Sequence, residues 1–216
     1  MGLFDRMQGN AKAEQTKSEN MPKSVTITFE QLPESLAEMK KLPESALSTP
    51  FMTAALSVCA YCCYAVDKDA GKEMLNFLKG PKPLSNYDIQ FINDRLMDKA
   101  YLPFSYFEGA EPSNSYRPNE PYKITIFEDV YSYKDEGYAK LNIRSGGADS
   151  PRQIVLRRKG EQWYLWEQYI LVGIRIPTTE DEWHKKREFD EKNYYAVILR
   201  SDSDEESFED SSLRSE

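Results

Sequence analysis

Apolar residues fall at every second position in Ser-Val-Thr-Ile-Thr-Phe, residues 24–29. Val25, Ile27 and Phe29 therefore share one face and Thr26 and Thr28 the other, which predicts a half-buried strand. The pattern then lengthens. Leu32-Pro33-Glu34-Ser35 is echoed ten residues on by Leu42-Pro43-Glu44-Ser45. The unit is too short for a solenoid repeat, so the echo marks helix starts. Ser35 and Glu38 have capping-box spacing, which predicts a short helix over 36–41. The longest apolar run, 51–66, begins after Pro50 and breaks at Asp67-Lys68-Asp69. A second helix is expected from Ala70 to Leu78, with Met74, Leu75 and Leu78 apolar and Gly80-Pro81 closing it. Tyr87, Ile89, Phe91, Ile92 and Leu96 give the next segment a helical period, with Ser85 as its cap and Asp88 in the first turn.

From Tyr101 to Tyr122 the periodicity is lost, and Pro103, Pro112, Pro118 and Pro121 are interleaved with Tyr106, Phe107 and Tyr116. So long a connection is expected to be either a functional loop or a wrapped extended segment. Alternation resumes in 122–127 and 138–144. Residues 153–159 and 162–167 flank Gly160-Glu161, a pair suited to a type II′ hairpin. Val172–Ile176 is one more short apolar run, which would add a further strand before Pro177 stops it. The expected class is α+β: an N-terminal strand and three to four helices packed on a mainly antiparallel sheet of four to five strands.

Charge divides the chain of 216 residues unevenly. The formal net charge is −8. Residues 177–216 hold six basic against thirteen acidic residues, whereas 22–176 hold nineteen against twenty. A nearly neutral body with an acidic tail offers no electrostatic footprint for nucleic acid or anionic lipid. The organisation expected is a flexible arm over 1–22, one domain over 23–178 and an acidic, mostly disordered tail over 179–216, within which Tyr194–Leu199 is apolar enough to dock or to form an edge strand. A domain of that length buries about 68–70% of its unfolded surface, enough for a sizeable core. No run reaches the roughly 20 apolar residues of a membrane span, and no signal-peptide pattern is present, so a cytoplasmic location is expected.

The cysteines, Cys59, Cys62 and Cys63, lie within one apolar helical run. Cys59 to Cys62 has C-x-x-C spacing, but it falls about three turns into a helix, away from the N-terminal dipole that lowers the pKa of a redox thiol. The single histidine, His184, is in the tail, so no ligand set for zinc is at hand. The thiols are expected to be inert and buried, and neither metal nor cofactor is expected.

The runs Glu73–Pro81, Pro103–Ala110, Gly137–Leu141, Arg144–Arg152 and Trp163–Glu167 together resemble a bacterial domain-of-unknown-function family common in anaerobic Firmicutes. The resemblance spans roughly 23–178. It implies a domain boundary and a bacterial cytoplasmic setting, and it brings no activity, substrate or catalytic residue.

Two constellations are candidate binding sites. Arg144, Gly146, Gly147, Asp149 and Arg152 form a glycine loop between strands, whose N–H groups and guanidiniums suit an anion; the alternative is a plain hairpin loop. Tyr106, Phe107 and Tyr116, with Trp163 and Trp166 on the neighbouring hairpin, suit a recognition surface; the alternative is that these rings anchor a wrapped segment to the core. Glu108, Asp149 and Glu167 are the carboxylates that folding would have to bring together for acid–base chemistry, and no motif nominates a nucleophile. The favoured reading is a non-catalytic protein-binding or adaptor module. The alternative is a small-molecule or enzymatic domain with a pocket between helices and a curved sheet, similar in outline to the NTF2-like proteins.

Overall fold

The computed structural model describes residues 23–178. The expectations for 1–22 and for 179–216, including His184 and Tyr194–Leu199, lie outside the described residues. Strand β1 (Ser24–Phe29) opens the fold with the alternation intact: Ile27 and Phe29 are buried and Thr26 and Thr28 exposed. Helix α1 spans Leu36–Met39, shorter than expected. Ser35 caps it by accepting from the Glu38 N–H at 3.3 Å, but the Glu38 carboxylate reaches back to the N–H of Glu34 and not to that of Ser35. The second echo, Pro43–Ala46, makes a 3-10 turn ended by Leu47 with φ of 53°.

Helix α2 (Pro50–Val66) begins with Thr49 accepting from the Met52 N–H. Fourteen of its 17 residues are buried, so this helix is surrounded by protein and shows no polar face. Asp67 closes it through a bond from its N–H to Cys63 O, and its side chain caps α3 (Lys68–Lys79) by accepting from the N–H groups of Asp69 and Ala70. Gly71 lies against the Tyr64 backbone, where a Cβ would collide, and this lets α3 fold back onto α2. Met74, Leu75 and Leu78 fill the contact as expected. Gly80, at φ of 59°, ends α3 beneath the Tyr164 ring. Helix α4 (Asn86–Leu96) carries a full capping box between Ser85 and Asp88.

The remaining strands are β2 (Tyr122–Phe127), β3 (Tyr138–Ile143), β4 (Arg152–Lys159) and β5 (Gln162–Gln168). They complete a five-stranded antiparallel sheet in the order β1-β2-β3-β4-β5, so β1 and β5 are the edges. All four helices lie in the β1–β2 connection. The fold is α+β, as the sequence predicts. Ile124, Ile126, Ala139, Leu141, Ile143, Ile154 and Leu156 make one core with α2, each fully buried Leu or Ile contributing about 1.5–3 kcal/mol.

One expectation is corrected. Val172–Ile176 forms no strand. Its backbone is spent on other partners: Arg152 donates to Val172 O and Gly173 O, and the Arg175 N–H bonds Gly147 O. Helix α2 packs against the sheet as the centre of the core.

Candidate functional site

The proline-rich connection folds inward. Pro103–Tyr106 and Pro112–Asn114 form 3-10 turns. Tyr106, Phe107 and Tyr116 are each no more than 3% exposed. The Tyr106 hydroxyl donates to Ile170 O at 2.6 Å, and that of Tyr116 to Arg175 O at 2.8 Å. Tyr116 stacks on Tyr101 at 5.2 Å, and Phe107 meets Tyr122 edge-on at 5.9 Å. These rings anchor a wrapped segment, each buried and, for the two tyrosines, with its hydroxyl bonded to a backbone carbonyl.

The glycine loop is equally occupied. Gly146 N–H bonds Ser105 O, and Gly147 N–H bonds Ser145 Oγ at 3.1 Å. Ser145 Oγ lies 2.8 Å from Ser105 Oγ, which donates to Leu102 O. A Cβ on Gly146 would strike Ala110 O, so this glycine serves close packing of two loops. Arg152 bonds Val172 O, Gly173 O and both oxygens of Ser150, Asp149 pairs with Arg175, and Arg144 lies over the Phe127 ring. An anion nest draws on convergent free N–H groups, and the N–H groups of Gly146 and Gly147 donate within the protein.

Trp163 and Trp166 take different roles. Trp163 packs against the core, its N–H bonds Leu47 O at 2.9 Å, and its carbonyl accepts from the Thr53 hydroxyl. Trp166 is an added residue. Leu156 pairs with Leu165 and Val155 with Glu167, so the register passes over it as a bulge that re-aims its ring. Lys82 Nζ lies 4.6 Å and the Arg157 guanidinium 4.9 Å from the Trp166 ring, and Tyr138 meets it edge-on at 6.0 Å.

Beside Trp166 an open groove of about 400 Å³ runs between α4 and the β5 edge. Tyr87, Phe91 and Ile92 line it from α4, Leu165, Trp166 and Tyr169 from the β5 side, and Tyr61 from α2. Tyr87 is 78% and Tyr169 48% exposed, a concentration of aromatic surface in a concavity. Tyr61 is 2% exposed, and its hydroxyl has no hydrogen-bond partner among the described residues; burial, with the charges of Asp88 and Tyr64 adding, pushes its phenol up.

The Arg158 N–H bonds Gly137 O on the β3 side. By the two-residue alternation, Leu156 and Ile154 also turn their backbone groups toward β3. Their β5 partners Leu165 and Gln168 consequently direct N–H and C=O away from β4. Trp163 has the same orientation, and Leu47 and Thr53 bond it; Leu165 is buried in the core at the floor of the groove. Asp88, at the groove rim, is raised by partial burial, but the N–H and hydroxyl of Ser85 and the charges of Lys79 and Lys82 outweigh this and hold it below its ordinary value.

Of the candidate site residues read from sequence, Trp166 and Glu167 line this groove. Tyr87, Phe91, Tyr169, Tyr61 and the β5 edge were not singled out. The signal was an apolar face on α4 wider than the core needs: Ile92 and Leu96 are buried, while Phe91 stands about 100° round the helix from Ile92, with Tyr87 one turn before it. Of the candidate carboxylates, Asp149 is paired with Arg175 and Glu167 accepts from the Tyr169 hydroxyl. Among the described residues no cluster of three or more His, Cys, Asp or Glu is arranged to hold a metal, and no helix is long and apolar enough to cross a membrane.

The fold and groove define an α+β protein with an aromatic-lined groove between α4 and β5. A family model described as a domain of unknown function, DUF6935, matches residues 31–178. The chain belongs to this family. The match begins after β1, although β1 completes the sheet by pairing along its whole length with β2. No curated protein and no solved structure is detectably similar to the chain.

Proposed function

We propose that the domain is a non-catalytic binding module that takes an extended polypeptide segment in the groove between α4 and β5. The observation that carries this reading is the groove of about 400 Å³ lined by Tyr87, Phe91, Trp166 and Tyr169, with Tyr87 and Tyr169 exposed. Apolar side chains of a bound segment fill such a groove and give selectivity. Tyrosine and tryptophan provide large contact area at small rotamer cost. The preferred ligand alternates apolar residues toward the groove and carries acidic residues toward Lys79, Lys82 and Arg157. The body over 23–178 is the binding unit, the segments 1–22 and 179–216 are accessory to it, and the setting is a bacterial cytoplasm, in keeping with three buried free thiols.

The test titrates fluorescently labelled extended peptides of this composition against the full chain. Tyr87→Ala and Tyr169→Ala are each expected to weaken binding about tenfold with Tm unchanged, since both rings are exposed. Peptides that bind equally well to both variants would remove the groove as the site.

A further inference from the structure

The sheet has two edges, and the rest of the chain covers them unequally. At β5, Leu47 and Thr53 bond Trp163, and α4 lies across the groove. At β1 the direction of the backbone is fixed by two bonds outside the ladder. The Glu128 N–H bonds Lys23 O, and Lys23 continues the register in which Ser24 faces Phe127. Lys23, Val25, Ile27 and Phe29 therefore direct N–H and C=O toward β2, and Ser24, Thr26 and Thr28 direct theirs outward. The far end of the strand agrees. Lys123, which faces Thr28, accepts from the Glu108 N–H and so turns its backbone away from β1. Ser24, Thr26 and Thr28 are exposed, and among the described residues no group bonds their outward N–H or C=O. Edge strands are ordinarily blunted by a charge, a proline or a bulge. β1 has none of these: Ser-Val-Thr-Ile-Thr-Phe is uncharged, rich in strand formers and paired with β2 over its whole length without a register shift.

The pattern of β1 is complementary to itself. In an antiparallel pair of two copies centred on Thr26, every outward residue meets an outward residue: Thr26 faces Thr26 of the second copy, and Ser24 faces Thr28 of the second copy. Any other centre leaves at least one of these residues without a counterpart. Hydroxyl side chains then meet on the exposed face, where Thr26 Oγ1 already lies 2.8 Å from Thr125 Oγ1. On the core face the half-buried Val25 meets Ile27 of the second copy. Charge selects the same orientation. Lys23 precedes β1 and Glu30 follows it, so antiparallel pairing brings unlike charges to both ends of the contact, whereas parallel pairing would bring like charges together.

We infer that β1 is a self-association edge: two copies of the chain join β1 to β1 about a two-fold axis at Thr26 and form one continuous antiparallel sheet. The α4–β5 groove lies at the opposite edge of each sheet, so the dimer keeps both grooves accessible and presents them together to a partner with repeated segments. Assembly through β1 stands on the edge geometry alone and does not depend on what the groove binds. A single strand pair is smaller than the roughly 1,200 Å² of a standard stable interface, so the dimer is reversible, with Kd on the order of 10–100 μM.

Sedimentation equilibrium of the full chain from about 1 to about 200 μM tests this, with the mean mass expected to rise from one chain toward two. Residue-resolved hydrogen–deuterium exchange over the same range is expected to slow the Thr26 and Thr28 amides about threefold or more, while those of Val25, Ile27 and Phe29 stay protected throughout. Thr26→Pro removes an outward N–H that the monomer does not use and is expected to weaken association more than about tenfold. Thr26→Lys and Thr26→Asp each set like charges opposite one another across the two-fold and are expected to weaken it about fivefold with cooperative unfolding retained. Mixed in equal amounts, the two charged variants are expected to associate at least as tightly as the wild type. They carry the test by themselves if Thr26→Pro does not fold. A mean mass of one chain over the whole range overturns the proposal, as does association that the Thr26 variants leave unchanged. A mixture of the charged variants no tighter than either alone overturns the pairing centred on Thr26.

Discussion

Cys59, Cys62 and Cys63 lie on the buried side of the fold, and their chemistry follows from that position. Burial pushes all three thiols up, Cys63 to about 11 with the charges of Asp67, Glu34 and Glu38 adding to the effect. A thiol is nucleophilic as thiolate, so at pH 8 the thiolate of Cys63 amounts to about 0.1% of molecules. A thiol-reactive disulfide reagent at pH 8 is therefore expected to label none of the three quickly in native protein and all three in denaturant. Labelling of two or more without denaturant would show that α2 opens readily. Tyr106 and Tyr116 give a second residue-scale expectation. Each combines a buried ring with a hydroxyl bonded to a backbone carbonyl. Removing only the hydroxyl leaves Ile170 O or Arg175 O short of a donor, so Tyr106→Phe and Tyr116→Phe are each expected to cost about 1 kcal/mol. Removing the ring costs about 3–5 kcal/mol. Chemical denaturation of the four variants checks both magnitudes.

At the scale of elements, capping explains why α3 and α4 begin where they do. Asp67 serves two helices at once, accepting the last bond in neither but ending α2 and starting α3 within one residue. The Ser85–Asp88 box fixes the start of α4 and with it the positions of Tyr87 and Phe91 along the groove. Ser85→Ala is expected to cost about 1 kcal/mol. The Asp88 carboxyl is held below its ordinary value in the folded state, so its contribution is present above the unfolded carboxylate pKa and is lost as pH falls through the lower folded value. Stability measured from pH 7 down to pH 2 is thus expected to decline less steeply in Asp88→Asn than in the wild type. An identical decline would show that the box does not couple to protonation. The bulge at Trp166 is the second element-scale device. By shifting the register between Leu165 and Glu167 it turns the ring toward Lys82 and Arg157, instead of leaving it in strict alternation with Trp163.

For the whole molecule, the arrangement of one large helix-containing connection between two paired strands has a direct consequence. β1 and β2 are adjacent in the sheet but separated by all four helices, so β1 is integral to the core although it lies at the start of the described residues. Deleting 179–216 is expected to leave one cooperative unfolding transition with Tm unchanged, because the hydrophobic core is assembled within residues 23–178. A fall in Tm of several degrees would make the segment part of the fold.

The linear pattern determined the strands, the helices and the α+β class, because period-two and helical alternation are local consequences of which face is buried. It also placed the thiols inside α2, since the run from Phe51 to Tyr64 is apolar on every side. Three things were decided only by tertiary structure. Tyr106, Phe107 and Tyr116 turned inward because the wrapped segment needed anchors to hold it on the sheet, and an aromatic residue reads the same whether it anchors or recognises. The Gly146 N–H and the Arg152 guanidinium found their partners in Ser105, Val172 and Gly173, all distant in sequence. The α4–β5 groove exists because an edge strand, a bulge and one side of a helix meet, and which strand lies at the edge depends on strand order, which is not a property of any single segment.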